Sequence, residues 1–562
     1  MCAILGGNNP TWNYQAGIEC MRHRGPDGVQ VCALEMFTLA FARLSIMDLS
    51  ENAMQPMFSE DGEVGLVFNG EIYGFQKLRK ELQKKGYVFK STSDTEVVLN
   101  AYLEWGEKFI TRVDGMYGIA ILDKRDRTVK LFRDRIGIKP LYYFYDGKNF
   151  AFASELKGIV TLCRDISFAT DYTAVYDYLN YLYIPEPKTY YKNVYKLFPG
   201  HRLTFDIENR KIVKNSAYWR LNVNSCQGRQ RKQEDIVEEL RSLVKESVKR
   251  QMIADVPVGT FLSGGVDSSI ITYESWRLNP KVETFTIGFE EKGFDESKYA
   301  LQVAEKFNIH SNMRKFSRNY LYEYYRYLKD WYDEPFGDSS AFPTHFVSKL
   351  AKEKVTVVLT GDGGDEVFGG YRRYRMIQNE MVSQSKVECF NIWERKILCR
   401  VPFLDEKISS SIGKLYISAK PERDVHWRKL LGISNDYDKY WVIRRYYHMD
   451  LPPITRGQYL DIKTYLPGDI LVKVDRAAMA VSLETRVPFL DRKIVEFAFS
   501  LSEEDRCPDG RLKGVLKRAY ENELGKDFLD RKKQGFSVPF KYFDWRLTQQ
   551  EELIKKVWGF KI

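Results

Sequence analysis

The chain has 562 residues, 44% of them hydrophobic and 29% charged, and its net charge is +10. That length predicts two or more domains, and the balance is that of an ordinary soluble globular protein. No apolar run approaches the ~20 residues that span a bilayer, which excludes a helical membrane protein, and interspersed charges of both signs suit small anions better than nucleic acid.

The opening residues, Met1-Cys2-Ala3-Ile4, carry no basic stretch, so no signal peptide is read there. The eight cysteines form no Cys-x-x-Cys pair and no Cys/His cluster, and a reducing cytoplasm is the expected compartment. Removal of Met1 would leave Cys2 with a free α-amino group able to activate its own thiol, directly or through water. Any residue can stand at position 2, so Cys2 draws its meaning from the motifs downstream of it.

Short strands are predicted over residues 37–46 and 64–68, both leading into polar loops, and over 117–123 and 128–133 around a charged turn. Residues 141–145 and 149–154 flank Asp146-Gly147-Lys148, a hairpin signal. Helices are predicted over 74–85 and 94–106, the second with Val97, Val98, Ala101, Tyr102 and Trp105 at helical spacing. Four local motifs punctuate this half: His23-Arg24-Gly25-Pro26-Asp27, Ala42-Arg43-Leu44-Ser45-Ile46, Phe68-Asn69-Gly70-Glu71-Ile72-Tyr73 and Ser93-Asp94-Thr95-Glu96. Singly, each has a plain reading: Arg43 a surface strand residue, Asn69-Gly70 a turn, Asp94 a helix N-cap. Residues 181–204 form a connector with Pro-fixed turns, and the polar, basic stretch 221–234 reads as the linker.

An amphipathic helix follows, with Ile236, Val237, Leu240, Leu243, Val244, Val248 and Met252 on one stripe. The apolar run 256–262, the loop Ser263-Gly264-Gly265-Val266-Asp267-Ser268-Ser269 and the helix-compatible run 270–278 make a strand, a glycine loop and a helix start. Bare N–H groups, three hydroxyls and the positive end of a helix suit a phosphate or pyrophosphate. Asp267 would repel phosphate unless it holds a bridging Mg²⁺. Further strands over 282–289 and 355–359, with helices over 297–307 and 344–354, predict a parallel sheet with its ligand at the strand C-termini. The last strand runs into Thr360-Gly361-Asp362-Gly363-Gly364-Asp365-Glu366, whose crowded carboxylates again ask for Mg²⁺. Residues 371–450 are rich in Tyr and Arg, and a polar helix surface or the rim of an anionic-acceptor pocket explains them better than nucleic-acid binding.

The Ser263–Ser269 loop resembles the pyrophosphate loop of ATP pyrophosphatases, and with the N-terminal motifs the chain resembles the glutamine-hydrolysing asparagine synthetase family over nearly its whole length. The resemblance implies a two-domain α/β and α+β protein. Residues 2–220 would form an αββα N-terminal-nucleophile glutaminase, and 235–562 a parallel-sheet α/β adenine-nucleotide α-hydrolase-like synthetase domain with extra helices. In the first, Cys2 would attack the glutamine amide, and Asn69 and the Gly70 N–H would donate to the oxyanion. Arg43 would grip the substrate carboxylate, while Glu71 and Asp94 accept from its ammonium. In the second, Leu262, Ile287, Thr360 and Gly361 match positions lining adenosine, and Ser263, Gly264, Gly265, Asp267, Ser268 and Ser269 the phosphate loop. Asp267 and Asp365 match a Mg²⁺ pair, Asp362 a residue assisting attack on the acyl-adenylate, and Lys513 a catalytic lysine. The segment from Lys473-Val474-Asp475-Arg476 to Asp491 resembles a family signature, read as scaffold under the acceptor pocket with Asp475 and Arg476 as contacts. Asp333-Glu334-Pro335 and Asp338-Ser339-Ser340 are further acceptor-side candidates.

Three departures stand out: Ala3 where the family often has Gly, Gly74 where it often has Asn, and Asp362 where it often has Glu. None removes a reacting group. The implied partners are glutamine, ATP and a carboxylate acceptor, with no nucleic acid and no membrane, and with room for a homodimer. Aspartate is the default acceptor. A sugar uronate, a tRNA-modifying relative and a non-catalytic relative remain open as alternatives.

Overall fold

Period-two alternation builds the first 217 residues. Their strands are β1 (Ala3–Gly7), β2 (Gly28–Ala33), β3 (Thr38–Arg43), β4 (Met57–Phe58), β5 (Val64–Ile72), β6 (Gly115–Asp123), β7 (Thr128–Arg133), β8 (Tyr142–Tyr145), β9 (Phe150–Ala153), β10 (Val194–Lys196), β11 (His201–Asp206) and β12 (Lys211–Ala217). In this computed structural model, which describes residues 1–223, 231–290, 293–384, 412–417, 421–447, 451–531 and 558, they form two six-stranded antiparallel sheets. The orders are β10-β8-β9-β1-β3-β2 and β12-β11-β7-β6-β5-β4.

Successive side chains of a strand point to opposite faces. Ile4, Phe41 and Phe152 therefore meet Val67, Ala120 and Leu131 in the layer between the sheets. Ala3, Leu5 and Ala42 point the other way, onto the helices Tyr14–Glu19 and Leu156–Leu162. Phe68, Ile119 and Ile121 likewise meet the helices Phe75–Lys84 and Asp94–Trp105. The result is the expected αββα sandwich.

Two local readings change. The strand expected over 64–68 continues to Ile72, because β6 pairs with it along its whole length, so Asn69 and Gly70 lie in a ladder and not in a turn. Gly70 is needed there: a Cβ would come 2.0 Å from the Met116 carbonyl oxygen. The cap of the helix Asp94–Trp105 is Ser93, whose hydroxyl accepts from Thr95 N–H at 3.0 Å, leaving Asp94 as the first helical residue.

The second half carries a parallel sheet of β13 (Val258–Phe261), β14 (Glu283–Phe289), β15 (Ser311–Phe316), β16 (Val357–Leu359) and β17 (Glu484–Arg486), in the order β15-β14-β13-β16-β17. The helix Gln233–Gln251 seats the stripe Ile236, Leu240, Val244 and Val248 against Ile270, Phe489 and Leu490. Of the linker read at 221–234, residues 224–230 lie outside the described residues, as do Cys226, Cys389, Cys399 and His448. The five described cysteines are free. Among the described residues no helix is long and apolar enough to cross a membrane.

The halves meet through buried charge. Arg24 is 0% exposed and donates to Asp475 at 2.7 and 3.2 Å and to Glu155 at 2.9 Å. Arg476 pairs with Glu155 at 2.6 Å and Asp333 at 3.3 Å, and Lys157 bridges the same two carboxylates at 3.2 Å each. Removing one partner of such a pair leaves a charge stranded out of water. Asp475→Ala should therefore lose about 3–5 kcal/mol, seen as a fall of several degrees in Tm. A Tm unchanged by Asp475→Ala would show that this pair carries no weight.

Candidate active sites

Cys2 precedes the central strand β1, so its backbone lies among the buried ends of both sheets. Its N–H donates to Asn69 Oδ1 at 3.0 Å, its Sγ lies 3.9 Å from Leu44 O, and Arg24 Nε donates to its carbonyl at 3.2 Å. Burial pushes the thiol up, opposed by the nearby N-terminal ammonium. Asn69 is fully buried, and its Nδ2 has no hydrogen-bond partner among the described residues. A buried donor left unmatched costs about 1–3 kcal/mol, so the amide is primed for an acceptor.

Arg43, at the end of β3, donates from Nη1 to Ser50 O at 2.7 Å and from Nη2 to Asp48 O. It is buried and holds this loop, and is not the surface residue its position alone suggested. Asp94 Oδ2 accepts from Ile72 N–H at 2.8 Å. Burial pushes its carboxyl up to about 6. Glu71 is pushed well above the carboxylate range, by burial first and by Glu484 and Asp94 next, although Arg486 opposes this at 3.3 Å.

Glu484 and Arg486 belong to β17, in the other half. Arg486 Nε donates to Glu484 Oε1 at 2.6 Å, and the N-terminal ammonium of Met1 donates to Glu484 Oε2 at 2.7 Å. Burial works against the Glu484 charge, yet the Met1 ammonium and Arg486 hold its carboxyl down at about 2. Sequence reading put this segment under the acceptor pocket; the structure sets its strand against the thiol site. Their signal was hidden because a three-residue strand has no periodicity to read.

The second candidate site is a cavity of about 950 Å³ at the C-terminal ends of β13, β14 and β16. Leu262, Ser263, Gly265, Asp267, Ser268, Ile287, Thr360, Gly361, Asp362, Asp365 and Lys513 all line it. Gly264 and Ser269 do not. Gly264 makes the turn at φ +80, where a Cβ would lie 2.7 Å from Ala300 N, and the Ser269 hydroxyl donates to Gly265 O at 2.7 Å, bracing the loop from behind. Ser263 and Ser268 share a hydroxyl contact at 3.0 Å.

Lys513 takes a left-handed backbone, φ 56, before the helix Gly514–Ala519. It is 5% exposed, so it is no solvated helix lysine. Its ammonium reaches Asp267 Oδ2 and lies 2.7 Å from Asp365 Oδ1. Burial works against that charge, but the two carboxylates hold the ammonium well above the ordinary lysine range. Glu366 turns away to accept from Tyr371 O–H at 2.6 Å, and burial, with Asp365 next, pushes it up to about 7. Among the described residues no group of three or more His, Cys, Asp or Glu could hold a metal. Two carboxylate oxygens nevertheless fit Mg²⁺, which keeps waters and substrate phosphates as its other ligands.

The acceptor-side candidates divide. Asp338 and Ser340 line the cavity. Asp333 pairs with Lys157 and Arg476, and Glu334 with Lys196 at 2.5 Å, so both belong to the seam. Lys473 lines the cavity, whereas Asp475 and Arg476 face the seam: Asp475 lies roughly 160° from Lys473 round the helix Leu471–Met479, and Arg476, only roughly 60° from it, reaches Glu155 and Asp333. Arg372, Arg375, Arg511, Lys517 and Arg531 complete a basic lining.

Both halves of the chain match known protein families. Residues 1–219 match the glutamine amidotransferase domain and residues 239–558 match asparagine synthase. Asparagine synthetase [glutamine-hydrolyzing] 1 of Bacillus subtilis is 35% identical, over 95% of this chain and 85% of that protein. Asparagine synthetase [glutamine-hydrolyzing] 3 of the same organism is 30% identical, over 92% and 83%. The solved glutamine phosphoribosylpyrophosphate amidotransferase of B. subtilis is 13% identical over 64% of this chain and 81% of that one, with a TM-score of 0.31, too slight to add anything. By class the chain is a glutamine-dependent amidotransferase, and it belongs to the asparagine synthase family, ligases that use ATP.

The buried Asp94 carboxyl gives a pH test. Its folded value, about 6, lies above the unfolded one, so the stability it contributes is present at low pH and lost as pH rises through about 6. Asp94→Asn stays neutral throughout and can still accept from Ile72. It should match the parent near pH 4 and exceed it by about 2–3 kcal/mol near pH 7 in denaturant titrations. A difference independent of pH would contradict the raised carboxyl.

Proposed function

We propose that this chain converts aspartate to asparagine, using ammonia released from glutamine in a unit spanning residues 2–220 and ATP bound in a unit spanning 235–562. The observation that carries the reading is the Lys513 ammonium held between Asp267 and Asp365 beside two glycine loops, a cation prepared for phosphate chemistry.

In the first unit, loss of Met1 frees the Cys2 amine, which takes the thiol proton. The sulfur attacks the amide carbon of glutamine. The unmatched Asn69 Nδ2 and the Gly70 N–H donate to the oxyanion. Glu71 and Asp94 receive the substrate ammonium, and Arg43, from the loop it braces, its carboxylate. The amine proton passes to the departing ammonia, and water then hydrolyses the thioester to glutamate.

In the second unit, Leu262, Ile287, Thr360 and Gly361 seat the adenosine, and the Ser263–Ser268 loop the phosphates. The acceptor carboxylate attacks the α-phosphorus, pyrophosphate leaves, and an acyl-adenylate remains. Asp267 and Asp365 would hold a Mg²⁺, which would supply neutralisation of the pyrophosphate charge. Lys513 offsets charge on the α-phosphate and then on the tetrahedral intermediate. Ammonia attacks the acyl carbon, Asp362 accepts its surplus proton, and AMP departs. The compartment proposed is the cytoplasm.

Two measurements separate the centres. Cys2→Ala should abolish glutamine-dependent AMP formation and leave the ammonia-dependent reaction at the parent rate; equal loss of both would sink the division of labour. Lys513→Met should lower ammonia-dependent kcat by roughly 100-fold or more with the glutaminase untouched, as for other removed charge-stabilising groups. A parent-like rate in Lys513→Met would remove that lysine from the chemistry.

A further inference from the structure

Two helices bring Asp267 and Lys513 together, and they touch again further along. The first, Val266–Leu278, carries Asp267 in its opening turn; the second, Gly514–Ala519, begins directly after Lys513. At one end the Lys513 ammonium reaches Asp267 Oδ2. At the other the Tyr520 hydroxyl donates to Glu274 Oε1 at 3.0 Å. Glu274 stands seven residues beyond Asp267, and Tyr520 seven beyond Lys513. Seven residues make roughly two helical turns, about 10 Å of rise, and return a side chain to the same face. The two contacts therefore set the helices parallel and fix one register between them.

The second contact is buried. Tyr520 is 0% exposed and Glu274 1%. Glu274 Oε2 lies 3.8 Å from Arg277 Nη1 and has no hydrogen-bond partner, so among the described residues the carboxylate is bonded by Tyr520 alone. Burial, and then the Glu274 charge, push the Tyr520 hydroxyl well up, so it keeps its proton and donates. An apolar pair would join the helices at less cost, and buried polar groups are best attested as devices that fix register. Arg241, from the helix Gln233–Gln251, holds the same end: its Nη1 donates to Ala519 O at 2.7 Å, and its guanidinium lies 5.3 Å from the centre of the Tyr520 ring.

Lys513 has little slack of its own. Its left-handed backbone persists in a non-glycine residue only where the surroundings over-determine it. Its stem runs so close to Gly370 that a Cβ there would lie 2.2 Å from Lys513 Cε. The place of the ammonium against Asp267 then follows from where the helix Gly514–Ala519 sits, and the Tyr520 contact fixes that helix. A misplacement of about 1 Å, caused far from the chemistry, can cost roughly 100-fold in rate.

We propose that Tyr520 and Glu274 are positioning residues for the Lys513 ammonium, acting through the shared register of these two helices. The inference rests on the role given to Lys513 in the reaction above. Neither residue lines the cavity, so neither is a substrate contact.

The test uses the full-length protein with MgATP, aspartate and ammonium chloride, AMP as the readout, and rates scaled to glutaminase activity as a measure of folded enzyme. Tyr520→Phe removes one oxygen. It should lower kcat roughly 10-fold while the ATP and aspartate KM stay within about twofold of the parent. Glu274→Leu should do the same, and Glu274→Gln, whose amide oxygen still accepts from Tyr520, should recover most of the rate. In a Lys513→Met background, Tyr520→Phe should bring no further fall, because the group it positions is gone. Falls that multiply in the double variant would overturn the assignment, as would a parent-like kcat in Tyr520→Phe or a Glu274→Gln as slow as Glu274→Leu. If the parent forms no AMP, or Lys513→Met runs at the parent rate, the reaction assigned to the cavity falls and the positioning role with it. A slow Lys513→Met beside a parent-like Tyr520→Phe removes the positioning role alone.

Discussion

A guanidinium taken out of water must find its counter-charge nearby, and Arg486 finds it in both halves of the molecule. It is 1% exposed, bonds Glu484 on its own strand, and reaches Glu71 on the antiparallel sandwich. Arg24 repeats the arrangement from the other side, reaching Asp475 on the helix Leu471–Met479 while holding the Cys2 carbonyl. Such pairs add little net stability compared with apolar packing, but a slip of either half leaves charges unmatched. The seam therefore fixes register more than it adds strength.

That constraint makes one stretch of chain border both candidate sites. Lys473 lines the cavity at the strand ends, Asp475 and Arg476 fill the seam, and Glu484 and Arg486 stand beside the thiol site. Helical geometry separates Lys473 from Asp475, two residues on and so on the far side of the helix, whereas Arg476, three residues on, is its neighbour round the helix and reaches the seam through its contacts with Glu155 and Asp333. The sheet supplies the rest, because β17 pairs with β16, the strand that runs into the Thr360–Glu366 loop. In the proposed reaction, ammonia forms at one end of this element and is consumed near the other. A shift of the helix would be felt at both.

The sandwich and the parallel sheet were legible because their strands alternate, or run apolar, over enough residues to set a period. The glycine loops were legible because glycine, serine and aspartate between a strand and a helix have few other uses. Asn69-Gly70 misled because the pair is also a turn signal, and only the ladder with β6 reveals a strand. Arg24 reads as part of a local motif, Asp475 and Arg476 as contacts under the acceptor pocket, and Glu155 is not singled out, since a single residue's polarity does not say whether its counter-charge comes from solvent or from the other half. Ser269 was read as a phosphate donor because hydroxyl chemistry is visible in sequence while its direction is not; its bond to Gly265 O spends the proton on the loop.

The thiol site, taken without substrate, is electrostatically unfavourable, and that is the strongest physical argument about its use. Glu71 and Asp94 are both held above the carboxylate range, and Asn69 keeps a buried amide donor unmatched. Folding alone gives no reason to gather such groups, because apolar replacements would bury at less cost. A ligand that carries an ammonium for the carboxyls and a carbonyl oxygen for the amide would resolve each conflict at once. Glutamine has both, and the oxygen gains charge when sulfur attacks, so the donor interaction would strengthen in the transition state. The same logic runs in the cavity at the strand ends with opposite sign. There Lys513 already neutralises Asp267 and Asp365, and the arriving phosphates would draw that ammonium towards themselves and leave the carboxylates open to a divalent cation.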